Sequence, residues 1–385
     1  MVLRAKVVGL VACAAAAVGW LACSSEGGGE AAPEADGAPP PVVEVEEAGA
    51  TTDAAPKPDD CTSQIVDGLP HRLGCLDLYT DLGAKTVSAD YASFTPGVEL
   101  WSDGAAKRRW VKLPAGATID ATDPDDWTFP VGTTLAKEFA IDGKRIETRF
   151  FRKDGVGWHH ASYRWNEAET EAVRIDQGER IALPNRTPYE VPKSADCNFC
   201  HAGRKEPVLG FEPVSLGLAS AMGVTLAALV AAGRLSPAPT RTALAIPDDG
   251  TGKLAAAAGW LHANCGHCHN EAPKAGAYGA KLKLLLRATE LAPPDGGVAS
   301  AGALAVLRTG VCVASERFDD AAGANFLYVR GGEPAKSLAS LLAGARAAPG
   351  QESILNQMPP LVTHAVDPIG HAALDAWITA RPPCP

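Results

Sequence analysis

The chain has 385 residues, enough for two or three domains with cores of their own, and it is 46% hydrophobic and 21% charged. Its formal charge is −10, but ten acids and one lysine lie within residues 24–60, so the rest is nearly neutral. No basic patch argues for nucleic acid, and the acidic balance by itself identifies no partner.

Residues 1–22 read as an export signal. Arg4 and Lys6 precede an apolar run from Val7 to Ala22 that is too short for a comfortable transmembrane helix. "WLACSS" around Cys23 resembles the lipobox of bacterial lipoproteins, which makes Cys23 the expected lipidation site and anchors the protein to a membrane through an N-terminal lipid. "LVAC" at Cys13 is the competing match and would leave a very short signal. Residues 23–60 are Gly, Pro, Ala and acid with nothing to bury, the composition of a disordered acidic tether.

Residues 61–192 carry a β pattern. Thr133 to Phe139 leads to an Asp142-Gly143 turn, and the next strand places Ile146, Thr148 and Phe150 on one face. After Asp154-Gly155, "GWHHASYRW" makes a third strand, with His159 on the face of Tyr163 and His160 on that of Arg164. With the earlier "VELWSD" and "KRRWVKL" strands this predicts an N-terminal β-sandwich whose acids and arginines form a solvated sheet face. Residues 193–249 hold Cys197, Cys200 and His201, then one or two Ala/Leu-rich helices ending near Gly233, then a Pro-rich linker. Residues 250–385 begin with a helix bearing Leu254, Ala258 and Leu261 at helical spacing. They end with a helix that Asp367 caps and Pro368 opens, with an expected stripe of Ile369, Ala373 and Trp377. The expected class is therefore multidomain α+β: an N-terminal β-sandwich, a short helical segment and an all-α C-terminal domain.

Two CxxCH motifs carry the chemistry: Cys197, Cys200 and His201, then Cys265, Cys268 and His269. A c-type haem needs two thiols for thioether bonds to its vinyl groups and an adjacent imidazole for the iron, and CxxCH presents all three from about one turn of backbone. Zinc would require the two cysteine pairs to converge from far apart in sequence, and a redox dithiol leaves each histidine unexplained. Two covalently attached haems are the expected cofactors, with His201 and His269 as iron ligands, which makes residues 193–249 a helical haem-binding segment and residues 250–385 a class I-like all-α cytochrome c domain. Met358, one of three methionines, stands in "MPPL" just before the terminal helix and is the expected second ligand of the second haem, with His364 as a rival in a surface loop. For the first haem the sixth ligand stays open among Met222, His262, a histidine of the β region, or none. The four remaining cysteines make an even set for an oxidising compartment, and proximity favours Cys61–Cys75 and Cys312–Cys384 as disulfides.

These features resemble a family of predicted periplasmic dihaem c-type cytochromes that join an N-terminal β-domain to two CxxCH motifs. The stretches that carry the resemblance are "ELWSDGAAKRRWVKLP", "WTFPVGTTLAKEF", "ETRFF", "SYRWNEAETEA", "CNFCH", "LGF", "NCGHCH" and "MPPLVTHAVDPIG", spanning roughly residues 98 to 380. The resemblance implies haem attachment at Cys197, Cys200, Cys265 and Cys268, iron ligation by His201 and His269, and Met358 as the distal ligand of the second haem. The expected role is electron transfer between a periplasmic donor and acceptor, with the chain held at the periplasmic face of the outer membrane. The competing readings are a peroxidase-like haem enzyme using an open first haem, with substrate held by the β-domain, and a binding protein whose β-domain recognises a ligand. No residue stands out as a catalytic acid, base or nucleophile.

Overall fold

The computed structural model describes residues 61–319, 324–348 and 350–385, together with the backbone of Arg4–Ala5. Its framework is a seven-stranded antiparallel sheet built from β1 (Ala92–Thr95), β2 (Ala106–Lys112), β3 (Thr134–Ile141), β4 (Lys144–Lys153), β5 (Trp158–Trp165), β6 (Ala172–Ile175) and β7 (Met222–Gly223). The spatial order is β6-β5-β4-β3-β2-β1-β7. The expected Asp142-Gly143 turn joins β3 to β4, with both residues at positive φ, as a tight hairpin requires. A bulge between Arg145 and Glu147 interrupts the pairing of β4 with β3. It sends Ile146 to the cluster around Phe139, away from Thr148 and Phe150 with which it was expected to share a face.

Period-2 alternation gives this sheet two different faces. Trp110, Ala136, Phe150, Tyr163 and Trp165 pack under Leu69, Leu73, Leu76 and Leu78 from the segment that precedes the sheet. On the other face Val111 and Leu135 join the largest core cluster, which also takes in Phe211, Leu254, Leu338, Leu374 and Trp377. The expected sandwich is therefore corrected. Among the described residues every other sheet has two or three strands, and short ribbons, turns and helices cover the main sheet. The solvated face is corrected as well: Glu138 and Glu147 are buried, the first held by Arg108 and Arg145, the second by Arg149.

The class I-like all-α cytochrome c domain is not formed. Residues 250–385 contain α4 (Leu254–Leu261), α5 (Ala288–Leu291), α6 (Ala305–Gly310), α7 (Leu338–Ala343) and α8 (Pro368–Ala380), but also strands β8 (Ala314–Asp319) and β9 (Asn325–Leu327). The remaining helices, α1 (Cys197–His201), α2 (Pro213–Gly217) and α3 (Leu226–Ala231), are shorter than two turns. Pro293, Pro294, Gly296 and Gly297 break any long helix after the second motif, and the alternation of "VCVASERF" selects a strand. Residues of both halves share one core, and residues 61–385 fall into one compact unit.

Among the described residues α8 is the longest helix, at 13 residues, and it begins as expected: the Asp367 carboxylate accepts from the amides of Ile369 and Gly370. Its buried stripe is Gly370, Leu374, Trp377 and Ile378, one residue on from the expected one, and Ile369 is exposed. The helix sits that way because Gly370 lies directly under the Trp260 indole, where no Cβ fits, and the Trp260 Nε1–H donates to Asp367 at 2.8 Å. Disulfides join Cys61 to Cys75 and Cys312 to Cys384, each with Cα atoms 5.5 Å apart, the pairing that sequence proximity favours. Most of the signal, Cys23 and the tether lie outside the described residues, Arg4–Ala5 excepted, whose backbone pairs with β8. Among the described residues no helix is long and apolar enough to cross a membrane.

Candidate functional site

The first motif sits on α1, reached through a tight turn at Ser194–Asp196. The second follows α4, which loosens into a π turn at His262–Gly266 before the backbone tightens again, with the His269 amide donating to the Cys265 carbonyl at 2.8 Å. Local sequence explains the approach of the two. Gly203, two residues past His201, lies against the His267 carbonyl so closely that a side chain there would collide with it. The Cys268 thiol points at the Phe199 carbonyl, 3.5 Å away, so the two motifs are in contact.

Each motif histidine is held the same way. The His201 Nδ1–H donates to the Pro207 carbonyl at 2.7 Å, and the His269 Nδ1–H donates to the Leu282 carbonyl at 3.2 Å. That bond fixes the tautomer and leaves Nε2 as the ring's ligand atom. Burial pushes His201 down to about 3 and His269 down to about 4, so both rings are neutral at physiological pH, the form that binds a metal. Burial also pushes the Cys265 thiol up to about 12 and raises Cys197.

Each motif opens on its own cavity. The first, 1560 Å³ including its open mouth, is lined by Cys197, Cys200 and His201, with Phe151, Trp101 and the sheet behind them. The second, 990 Å³ on the same measure, is lined by Cys265 and His269 and is closed by Leu261, Leu282, Phe318, Tyr328, Leu338 and Leu342. Cys265 and Met358 stand in the wall between and line both. Met358 is held there by Gln357, whose buried amide donates to the carbonyls of Pro359 and Thr363 and accepts from the Ala347 amide.

The loop is clamped from the sheet side. Asp103 accepts from the amides of His364 and Ala365, the Trp101 indole donates to the Ala365 carbonyl, and the Trp101 amide donates to Asn264, next to Cys265. Thus "ELWSDG" and "MPPLVTHAVDPIG" meet at the second motif although more than 250 residues separate them.

Several expected residues are elsewhere. His364 is no surface residue: it is 6% exposed and lies between Glu190 at 2.7 Å and Glu352 at 3.2 Å. Met222 is 62% exposed on edge strand β7 and lines neither large cavity. His262 is tied to Glu212 at 3.2 Å and accepts from the Leu286 amide. His159 pairs with Asp154, whereas His160 lines the first cavity, separated from His201 by the Phe151 ring that stacks near both.

Two features were invisible in the sequence. The first is the convergence of the cysteine pairs that distance along the chain spoke against: Cys200, His267 and Cys268 bring their ligand atoms within 4.8 Å of one another. Hydrogen bonding from Cys268, together with His267, pushes the Cys200 thiol down to about 5, while Cys268, its partner, is pushed up. The second is a row of cations, Arg109, Lys137 and Arg149, on the first cavity's sheet wall. Alternation along "KRRWVKL" marks Arg109 as sharing a face with Val111, but only strand register brings the three together.

No protein-family model matches the chain, and neither a curated protein nor a solved structure is similar to it.

The donor set of the first cavity fits a c-type haem: two thiols spaced along one turn and a neutral imidazole with its Nδ1 already engaged face a largely apolar space. The second cavity is lined by Cys265 and by His269 with its Nδ1 engaged, while the Cys268 thiol turns toward Phe199 of the first motif.

Proposed function

We propose that the chain is an exported, lipid-anchored dihaem c-type cytochrome that passes electrons between periplasmic redox partners. The observation that carries this reading is the contact of two CxxCH motifs that back onto separate cavities, each with a half-buried histidine oriented by a backbone carbonyl. Bound there, haem would supply one-electron redox chemistry. In this reading Cys197, Cys200, Cys265 and Cys268 hold the two groups, His201 and His269 orient them, and Met358 offers a soft thioether from the shared wall. The largely apolar lining of the second cavity lowers the polarity around its centre, which favours the less charged redox state. Touching motifs make the path between the two groups short. A relay needs both properties and needs no acid or base.

One observation favours a second reading. Cys200, His267 and Cys268 present two thiols and an imidazole to one point, a donor set suited to a soft transition metal. The two readings make opposite use of Cys200 and Cys268, and one preparation separates them. The full chain, expressed with haem-maturation machinery, is analysed by intact mass, metal content and low-temperature EPR. Two covalent haems and two low-spin signals are expected. A chain without covalent haem that carries one metal ion per molecule would sink the cytochrome reading and support the second. Two haems with one high-spin signal would instead favour an enzyme with an open first site.

A further inference from the structure

The row of cations in the first cavity is a conflict that folding alone does not explain. Strand register sets Arg109 of β2 opposite Lys137 of β3, and Lys137 opposite Arg149 of β4. Directly paired side chains on neighbouring strands have Cβ atoms about 4.5–5.5 Å apart, and like charges at that spacing destabilise a sheet. Three in one row, facing a largely apolar cavity, are costly unless something negative lies over them.

The chain's own carboxylates neutralise only part of this charge. Glu99 takes Arg109 at 2.7 Å and Glu147 takes Arg149 at 2.5 Å. Among the described residues no carboxylate forms an ion pair with Lys137. Arg109 is 4% exposed, and its Nη1 is buried with no hydrogen-bond partner. A buried guanidinium nitrogen left open, beside a lysine that meets only the Phe139 ring and that burial and the neighbouring arginines push well below its ordinary pKa, is the signature of a site that awaits an acceptor.

We propose that Arg109, Lys137 and Arg149 form a carboxylate-binding row, set to receive the acid groups of an amphipathic ligand whose apolar body fills the rest of the first cavity. The inference deepens the cytochrome reading and rests on it for the source: the propionates of the first haem are the carboxylates nearest to hand. A free dicarboxylate has the same chemistry and is the other source. The row lies on a rigid central part of the sheet, so its charges are fixed in place before the ligand arrives, which lowers the ordering cost of binding.

The test uses the full chain expressed without haem-maturation machinery, with Cys197, Cys200, Cys265 and Cys268 replaced by serine in every variant so that both disulfides stay closed and no motif thiol oxidises. Ferric protoporphyrin IX, its dimethyl ester and glutarate are titrated in, with binding read from tryptophan quenching. The acid porphyrin should bind at least about tenfold more tightly than the ester, the worth of one or two charge-assisted hydrogen bonds. That preference should disappear in Lys137→Met and shrink in Arg109→Gln. Glutarate binding that Lys137→Met abolishes, without an acid preference among the porphyrins, would support the row and assign it to a free dicarboxylate. Equal binding of acid and ester with no binding of glutarate, or an acid preference that survives in both variants, overturns the proposal.

Thermal unfolding gives a second readout. Without ligand, Lys137→Met should unfold at a higher temperature than the parent because a buried amine without a carboxylate partner gives way to an apolar chain of similar length, and a lower midpoint counts against the row. Failure of the cytochrome reading is seen separately, as absence of covalent haem in the matured protein. An intact acid preference in such a protein would leave the row standing.

Discussion

The two CxxCH motifs are the same five-residue device set in two different surroundings. The first leans on a β-sheet whose facing wall carries Arg109, Lys137 and Arg149, so a row of basic side chains lines its cavity. Burial above all, with Arg109 adding to it, pushes Lys107 on the same strand down to about 8. The second is enclosed by leucines, Phe318 and Tyr328 from short helices and strands. A motif fixes which atoms can be attached; the wall opposite decides what the attached group can do. The difference predicts two unequal sites within one core.

The sharpest way to break that comparison is at Met358, which lines both cavities. If it serves the second site, Met358→Ala should lower one midpoint potential by on the order of 0.2 V and leave the other nearly unchanged, read by potentiometric titration of the matured protein. Equal shifts in both, or in neither, would end the assignment of the thioether to the second site.

The disulfides sharpen the contrast next. Cys312–Cys384 spans 72 residues and closes the region around the second motif, while Cys61–Cys75 spans 14 beside the sheet. Loop-closure entropy gives about 4 kcal/mol for the long loop and about 3 kcal/mol for the short one. Denaturant unfolding of Cys312→Ala/Cys384→Ala and of Cys61→Ala/Cys75→Ala should keep that order.

Glu212 ties the α2 segment to the second motif's entry and gives the comparison a pH test. Burial alone would raise its carboxyl, but His262 and the hydrogen bonds at α2 outweigh that and hold it down to about 2. A carboxylate depressed in the folded state stabilises above its unfolded value near 4.5, and that stability drains away as pH falls toward 2. The amount is on the order of 3 kcal/mol. Unfolding free energy measured from pH 5 to pH 2 should fall steeply in the parent and less steeply in Glu212→Gln, which starts lower. A parallel acid limb in the variant would show that Glu212 does not join the two regions in this way.

The smallest expected effect is at the cap of α8. Asp367→Ala removes the acceptor for two helix amides and for the Trp260 indole, at a cost of about 1–2 kcal/mol, read as a lower midpoint in urea. Because Trp260 and Asp367 both border the first cavity, a loss much above that range would mean that the two sites share more of their support than their linings suggest.

Part of this protein was legible from residue order alone. The Asp142-Gly143 turn, the capped start at Asp367-Pro368 and the spacing of the two motifs are local, and local chemistry specifies them wherever they fall in a fold. Other features misled. The helix before the second motif, the Met358 loop and the capped last helix suggested an all-α domain, but glycines and prolines after Cys268 leave short helices around a strand pair, so none formed. His364 read as surface because a loop residue usually is, whereas Glu190 and Glu352, distant in sequence, enclose it.

Sequence by itself determined the reactive groups: four thiols in two CxxCH frames, their histidines and one well-placed methionine. Only the tertiary structure decided that the motifs touch, that Met358 stands between their cavities, and that three cations from three strands line up across from the first. The reason is physical: thioether and imidazole chemistry is written within one turn of backbone, whereas register, burial and charge juxtaposition depend on which distant segments the core draws together.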